Sequence, residues 1–264
     1  MTLIVKGRRE GRDIVAVTPA SAGWRYVGFS AHRLARDESI VVGVPGREVC
    51  IVALTGTVSV TVGDRAWSRI GGRRSVFDHV SPHAVYLPPA ARAEVVAHDA
   101  AEVALCSAPA AHGDLPARLI EPSAMKRSVR GSGTNTRYVC DILPQQEPAE
   151  SLLVVEVLTP AAHSSSYPPH KHDRDLLPHE SLLEETYYHR IDPPQGFGFQ
   201  RVYTDDRTLD EAMTIEDHDV VMVPRGYHPV VMPHGYGGYY LNTMAGPTRQ
   251  WHFHNDPAHE WMLK

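Results

Sequence analysis

Between residues 14 and 106 the chain is a succession of short β-branched runs, each stopped by Gly, Pro or Asp. No long amphipathic helical pattern competes with them. The runs fall at residues 40–44, 49–54, 57–62, 85–87 and 93–97, and Val58-Ser59-Val60-Thr61-Val62 alternates most clearly with a period of two. Strands of this length and spacing predict an all-β protein built as an antiparallel sandwich or barrel.

A second set of runs follows at residues 138–143, 152–158, 185–191, 197–203, 219–223 and 239–244. Its turn signals are Pro193-Pro194-Gln195-Gly196 and Thr204-Asp205-Asp206. Residues 107–150 are rich in Ala, Pro, Gly and polar residues, so a boundary is expected near residue 125. It gives an N-terminal half, 1–125, and a C-terminal half, 126–264. A duplicated barrel is the expectation, because Val85-Tyr86-Leu87-Pro88-Pro89 stands in the first half where Val221-Met222-Val223-Pro224 stands in the second.

A net charge of -5 gives no basic footprint for nucleic acid. No run approaches the apolar length of a membrane span, and the start lacks the core of a signal peptide, so a cytoplasmic location is expected. Cys50, Cys106 and Cys140 are odd in number and sit in apolar surroundings, which reads as buried thiols in a reducing compartment.

Sixteen histidines are the outlier of the composition, five before residue 160 and eleven after it. In an extended strand, residues i and i+2 share a face, so His170 and His172 present two imidazoles together while Lys171 points away. A third imidazole, His228, follows a turn in which Gly226 can take positive φ. With a carboxylate from Glu184-Glu185 these residues would make a three-His, one-carboxylate site for a divalent first-row metal. The plain alternatives are a polar loop for the pair and a turn histidine bonded to a carbonyl for His228. His252-Phe253-His254 repeats the spacing without a carboxylate in register and reads as a surface or barrel-closing strand.

His170-x-His172, the acidic start of the next strand and Pro224-x-Gly226-x-His228 resemble the two motifs of the cupin superfamily. Longer segments make the likeness more specific: Ser166-Tyr167-Pro168-Pro169-His170-Lys171-His172-Asp173, Leu183-Glu184-Glu185-Thr186-Tyr187-Tyr188-His189-Arg190 and Val223-Pro224-Arg225-Gly226-Tyr227-His228-Pro229-Val230. With Gln200 to Asp205, Tyr239 to Asn242 and Asn255 to Met262 they resemble the 5-deoxyglucuronate isomerase family of myo-inositol catabolism, related to the 4-deoxy-L-threo-5-hexosulose-uronate ketol-isomerases.

The resemblance implies a bicupin of two jelly-roll barrels, the N-terminal one degenerate and the metal in the C-terminal one. It implies His170, His172, Glu185 and His228 as ligands, with Glu184 the alternate for Glu185. The usual cupin spacing is broken here by the insertion from Asp173 to Glu184. Zinc is the first candidate ion, with manganese or iron as alternatives, and no organic cofactor is needed. The reaction implied is isomerisation of 5-deoxy-D-glucuronate to 5-dehydro-2-deoxy-D-gluconate. A metal would stabilise charge developing on the substrate oxygens while a base moves a proton between neighbouring carbons.

Glu184, His189 and Tyr187 are the candidates for that catalysis. Arg201, Arg225, Arg137 and Lys171 are the candidates for a carboxylate clamp, and Tyr203 could reach the sugar. The partner expected is a small sugar acid, with neither nucleic acid nor membrane. Open sheet edges give a reason to expect a homo-oligomer. A metal-dependent cupin dioxygenase and a non-catalytic sugar-binding barrel are the competing readings.

Overall fold

The structure is a computed structural model and describes residues 2–263. Two sets of antiparallel sheets divide the chain. In the first half a six-stranded sheet runs in the order Arg118–Ile120, Ala84–Leu87, Arg47–Thr55, Ala101–Pro109, Gly28–Leu34, Asp13–Val17. It faces a four-stranded sheet of Ser39–Val42, Ala93–Ala97, Thr57–Val62 and Arg65–Gly71. The second half repeats the plan. Its seven-stranded sheet runs Ile4–Val5, Val220–Val223, Glu184–Asp192, Gly237–Ala245, Leu153–Thr159, Arg137–Leu143, Lys126–Arg130. Its four-stranded sheet is Ser164–Ser165, Val230–Val231, Phe197–Tyr203 and Asp210–Glu216.

The sheets change hands between Ile120 and Lys126, with one exception. Ile4–Val5 pairs with Val220–Val223, so the start of the chain belongs to the sheet of the second half and not to the N-terminal half expected for 1–125. Strands that β-branched composition does not mark include Gly28–Leu34, Arg65–Gly71 and Asp210–Glu216. Their sequences are mixed, and paired neighbours supply the context that makes them strands.

Three apolar cores result. Val49, Ile51, Val58, Val60, Val85 and Val95 fill the first barrel. Val155, Val157, Tyr187, Ile191, Val202 and Val223 fill the second. The third lies between the two large sheets, where Phe29, Cys50, Val52, Leu54, Tyr86 and Cys106 meet Ile142, Val154, Tyr188, Met222 and Leu241. Both faces of Arg47–Thr55 and of Glu184–Asp192 are therefore buried, which is why these two strands are buried almost without interruption. Within this interface Arg73 meets Glu156 at 2.9 Å, and the Tyr239 hydroxyl donates to the same carboxylate at 2.9 Å.

The register shows the repeat residue by residue. Val49 pairs with Leu87 as Glu185 pairs with Val223, so Glu48 and Val49 of the first half stand where Glu184 and Glu185 stand in the second. The Glu48 carboxylate accepts from the backbone N–H of Glu150, Ser151 and Leu152, and that of Glu184 from Arg25, Tyr26 and Val27. Each half thus places one glutamate on three consecutive amides of the other. The position equivalent to Glu185 is an aliphatic side chain, so the first barrel offers no carboxylate at that point.

Candidate metal centre

Three elements bring the site together. The short strand His170–Lys171 pairs with His254–Asn255 near the C-terminus, which fixes the entry to His172. The insertion after His172 folds as a hairpin of Asp173–Leu176 with Glu180–Leu182, and the Leu183 N–H then donates to the His172 carbonyl. The insertion therefore loops out and returns, leaving Glu185 beside His172. The third element is the turn before His228, where Gly226 has φ +92° and a Cβ would lie 2.5 Å from the Tyr203 carbonyl oxygen. Only glycine fits this turn without strain.

His172, Glu185 and His228 are buried and their ligand atoms lie within 4.8 Å of one another, the one such group among the described residues. His172 Nδ1 is 3.1 Å from the Leu183 carbonyl and His228 Nδ1 is 2.8 Å from the Gly226 carbonyl. A carbonyl can only accept, so each Nδ1 carries the proton, and in the neutral imidazole each Nε2 keeps its lone pair. Those two Nε2 atoms face one carboxylate oxygen, Glu185 Oε2, at 3.0 and 3.3 Å. His228 Nε2 has no hydrogen-bond partner among the described residues despite complete burial. Three electron-pair donors aimed at one dry point are a poor arrangement by themselves, and a divalent cation satisfies all of them. The Leu183 and Gly226 carbonyls fix each tautomer as a metal site requires. The residues fit a metal.

His170 sits at the rim. Its ring is edge-on to His228 with centroids 4.8 Å apart and packs at 4.8 Å against Phe253. Burial pushes its pKa down to about 3, with His172, Arg137 and Arg130 acting in the same direction. The structure does not bring it into the convergent group.

A family model described as the KduI/IolB family matches residues 3–262. The chain belongs to that family. Among its relatives, the 5-deoxy-glucuronate isomerase of Geobacillus kaustophilus (strain HTA426) is 52% identical over 255 residues, 97% of this chain and 92% of that protein. The 5-deoxy-glucuronate isomerase of Bacillus subtilis (strain 168) is 51% identical over 249 residues, 94% of this chain and 92% of that protein. The crystal structure of an IolB-like protein from Salmonella typhimurium LT2 superposes with a TM-score of 0.98 at 48% identity, covering 100% of both chains. Oxalate decarboxylase of Lactobacillus farciminis gives a TM-score of 0.65 at 11% identity, over 97% of this chain and 88% of that one, which shows a shared fold alone.

The second barrel leaves a small cell beside Glu185, about 30 Å³, bordered by Arg130, Arg137, Ser166, His170, Tyr187, Tyr240, Asn242 and Trp251. Of the catalytic candidates only Tyr187 reaches it. Its hydroxyl is 3.1 Å from Ser166 Oγ, and Tyr240 is bonded to Ser165 at 2.6 Å, so the two tyrosines share a short hydroxyl network. Burial, and then the Glu185 charge, push the Tyr187 hydroxyl well above its ordinary pKa. Glu184 is excluded by alternation, since its carboxylate faces the other half and is bonded to three amides there. His189 shares the face of Glu185 but lies four residues along the strand, roughly 13 Å deeper. There it pairs with Gln200 at 2.9 Å, behind Tyr187.

Of the four clamp candidates, only Arg137 borders the cell. Lys171 points to the opposite side, into Asp173, Glu180 and Asp205 at 2.8, 3.4 and 3.3 Å. Burial opposes its charge, and these carboxylates outweigh burial and raise its pKa. Arg201 is held on the outer surface by two 2.7 Å bonds to Asp210, and Arg225 is exposed. Tyr203 lies on the same strand face as Arg201 but is buried there, its ring tilted against Tyr227 with centroids 5.1 Å apart and its hydroxyl on Asp256 at 2.8 Å. Tyr240 and Asn242 fall in the run expected at 239–244, whereas Arg130 and Trp251 are wall residues outside every expected strand. The available signal was register, because Arg130 is the direct cross-strand neighbour of Arg137.

Proposed function

We propose that this protein is a metal-dependent aldose-ketose isomerase converting 5-deoxy-D-glucuronate to 5-dehydro-2-deoxy-D-gluconate, as a step in myo-inositol degradation. About half of its residues are identical to those of the 5-deoxy-glucuronate isomerases over nearly the full length of both. The observation that carries the chemistry is the meeting of two imidazole lone pairs and the Glu185 carboxylate at one buried point.

In this reading His172, Glu185 and His228 hold a divalent ion, zinc first and manganese or iron as alternatives, and His170 joins them or faces the substrate. The ion supplies Lewis-acid stabilisation of negative charge on neighbouring substrate oxygens. Tyr187, kept protonated by burial, donates to a substrate oxygen and passes protons through Ser166 and Tyr240. With Glu185 engaged by the ion, a His170 that faces the substrate is the group on the cell wall left to accept a carbon-bound proton. Trp251 borders the cell, and Phe253 packs against His170 beside it. Cys50, Cys106 and Cys140 are buried free thiols, which supports a reducing, cytoplasmic setting.

The test is to incubate metal-loaded protein with 5-deoxy-D-glucuronate in deuterated water and follow the sugar by NMR. Ketose formation under anaerobic conditions is expected. A metal-loaded, folded preparation that forms no ketose refutes the reading.

A further inference from the structure

Arg130 and Arg137 pair directly across the strands Lys126–Arg130 and Arg137–Leu143. Like charges placed opposite one another in a sheet repel. Arg137 spends its guanidinium on Asn135 O, Asn135 Oδ1 and Tyr167 O, all neutral acceptors. Arg130 lies 5.5 Å over the Trp251 ring. Both arginines border the cell beside Glu185 and His170, and Arg130 also borders an adjoining cavity of about 400 Å³. Trp251 and Val155 are common to both walls, and Asp141 is the acidic residue on the larger one.

A cell of about 30 Å³ has room for about one or two waters, not for a six-carbon acid. A substrate whose aldehyde end is at His172, Glu185 and His228 must therefore extend into the larger cavity. Its far end then passes the shared wall. We infer that Arg130 and Arg137 form the carboxylate-recognising end of the substrate site and set selectivity for a sugar acid over a neutral aldose. A carboxylate between them removes the cross-strand repulsion and receives the bidentate geometry that guanidinium groups offer. The identity of the substrate rests on the isomerase reading; the recognition of an anion rests on the arginine pair.

The test compares 5-deoxy-D-glucuronate with 5-deoxy-D-glucose, in which the carboxylate is replaced by CH2OH, on full-length, metal-loaded protein. Arg130→Gln is the informative variant because the Arg130 side chain makes no hydrogen bond among the described residues, whereas Arg137→Gln also frees the Tyr167 carbonyl. The ratio of kcat/KM for the acid to that for the neutral sugar is expected to fall roughly 10- to 100-fold in Arg130→Gln, mostly through KM. An unchanged ratio, or equal losses on both sugars, overturns the proposal. If the wild-type protein isomerises neither sugar, calorimetric titration with D-gluconate and with sorbitol separates the two readings. Gluconate binding weakened by Arg130→Gln upholds the anion site while the isomerase reading falls. Absent gluconate binding, or binding that the substitution leaves unchanged, overturns the anion site.

Discussion

Glu184 and Glu185 are neighbours in sequence and enter different cores: Glu185 Oε2 lies 3.0 Å from His172 Nε2, while Glu184 is bonded to the amides of Arg25, Tyr26 and Val27 across the interface. The period of two along one strand separates a member of the convergent group from a clasp. Glu185→Gln is expected to lose bound metal and activity with the fold kept. Glu184→Gln should retain metal and lose stability by about 1–3 kcal/mol, because the amide replaces a charged acceptor of three N–H groups. Metal analysis and urea denaturation of the two variants check this, and equal metal loss in both would contradict the assignment.

His172 and His170 separate in the same way. His172→Ala removes a buried donor from the convergent group and is expected to abolish stoichiometric metal. His170→Ala, at the rim, should retain most of the metal and still lose activity. Elemental analysis beside turnover distinguishes them; loss of metal to the same extent would place His170 in the coordination set on equal terms.

At Gly226 the backbone is held at φ +92°, and an added Cβ would meet the Tyr203 carbonyl at 2.5 Å. Gly226→Ala is expected to cost about 1–3 kcal/mol in backbone strain and to displace His228 from Glu185. Both the thermal midpoint and the metal affinity should fall. A variant that matched the wild type in both would show that the turn tolerates a side chain.

Acid should weaken the fold before the carboxylates titrate. Burial pushes His189 down to about 4, and burial together with Arg190 does the same to His218. The unfolded chain takes up these protons at an ordinary pKa of about 6.5, so their contribution is complete above that pH and is lost as pH falls from 6.5 to 4. The loss at His189 is on the order of 3 kcal/mol. His189→Asn should flatten stability against pH in that window relative to wild type, read as thermal midpoints at each pH. Parallel curves would mean that His189 does not titrate there.

Legibility in the sequence followed burial. Runs such as residues 49–54 and 57–62 became strands because their β-branched side chains are buried in the cores. The Asp210–Glu216 strand was silent because its outer face is Asp, Ala, Thr and Glu, and only pairing with Phe197–Tyr203 makes it a strand. His172 and His228 were legible as candidates from spacing and from a glycine turn. Glu185 was legible only jointly with Glu184.

By itself the sequence determined an all-β chain, a concentration of histidines after residue 160 and family membership carried by long motifs. Tertiary structure decided which face each strand turns where. It gave Glu184, His189, Lys171, Arg201 and Tyr203 to cores, clasps and outer surfaces, and set Arg130 beside Arg137 at the site. The physical reason is that strand periodicity fixes which residues share a face, whereas which face meets a site depends on packing between sheets far apart in sequence.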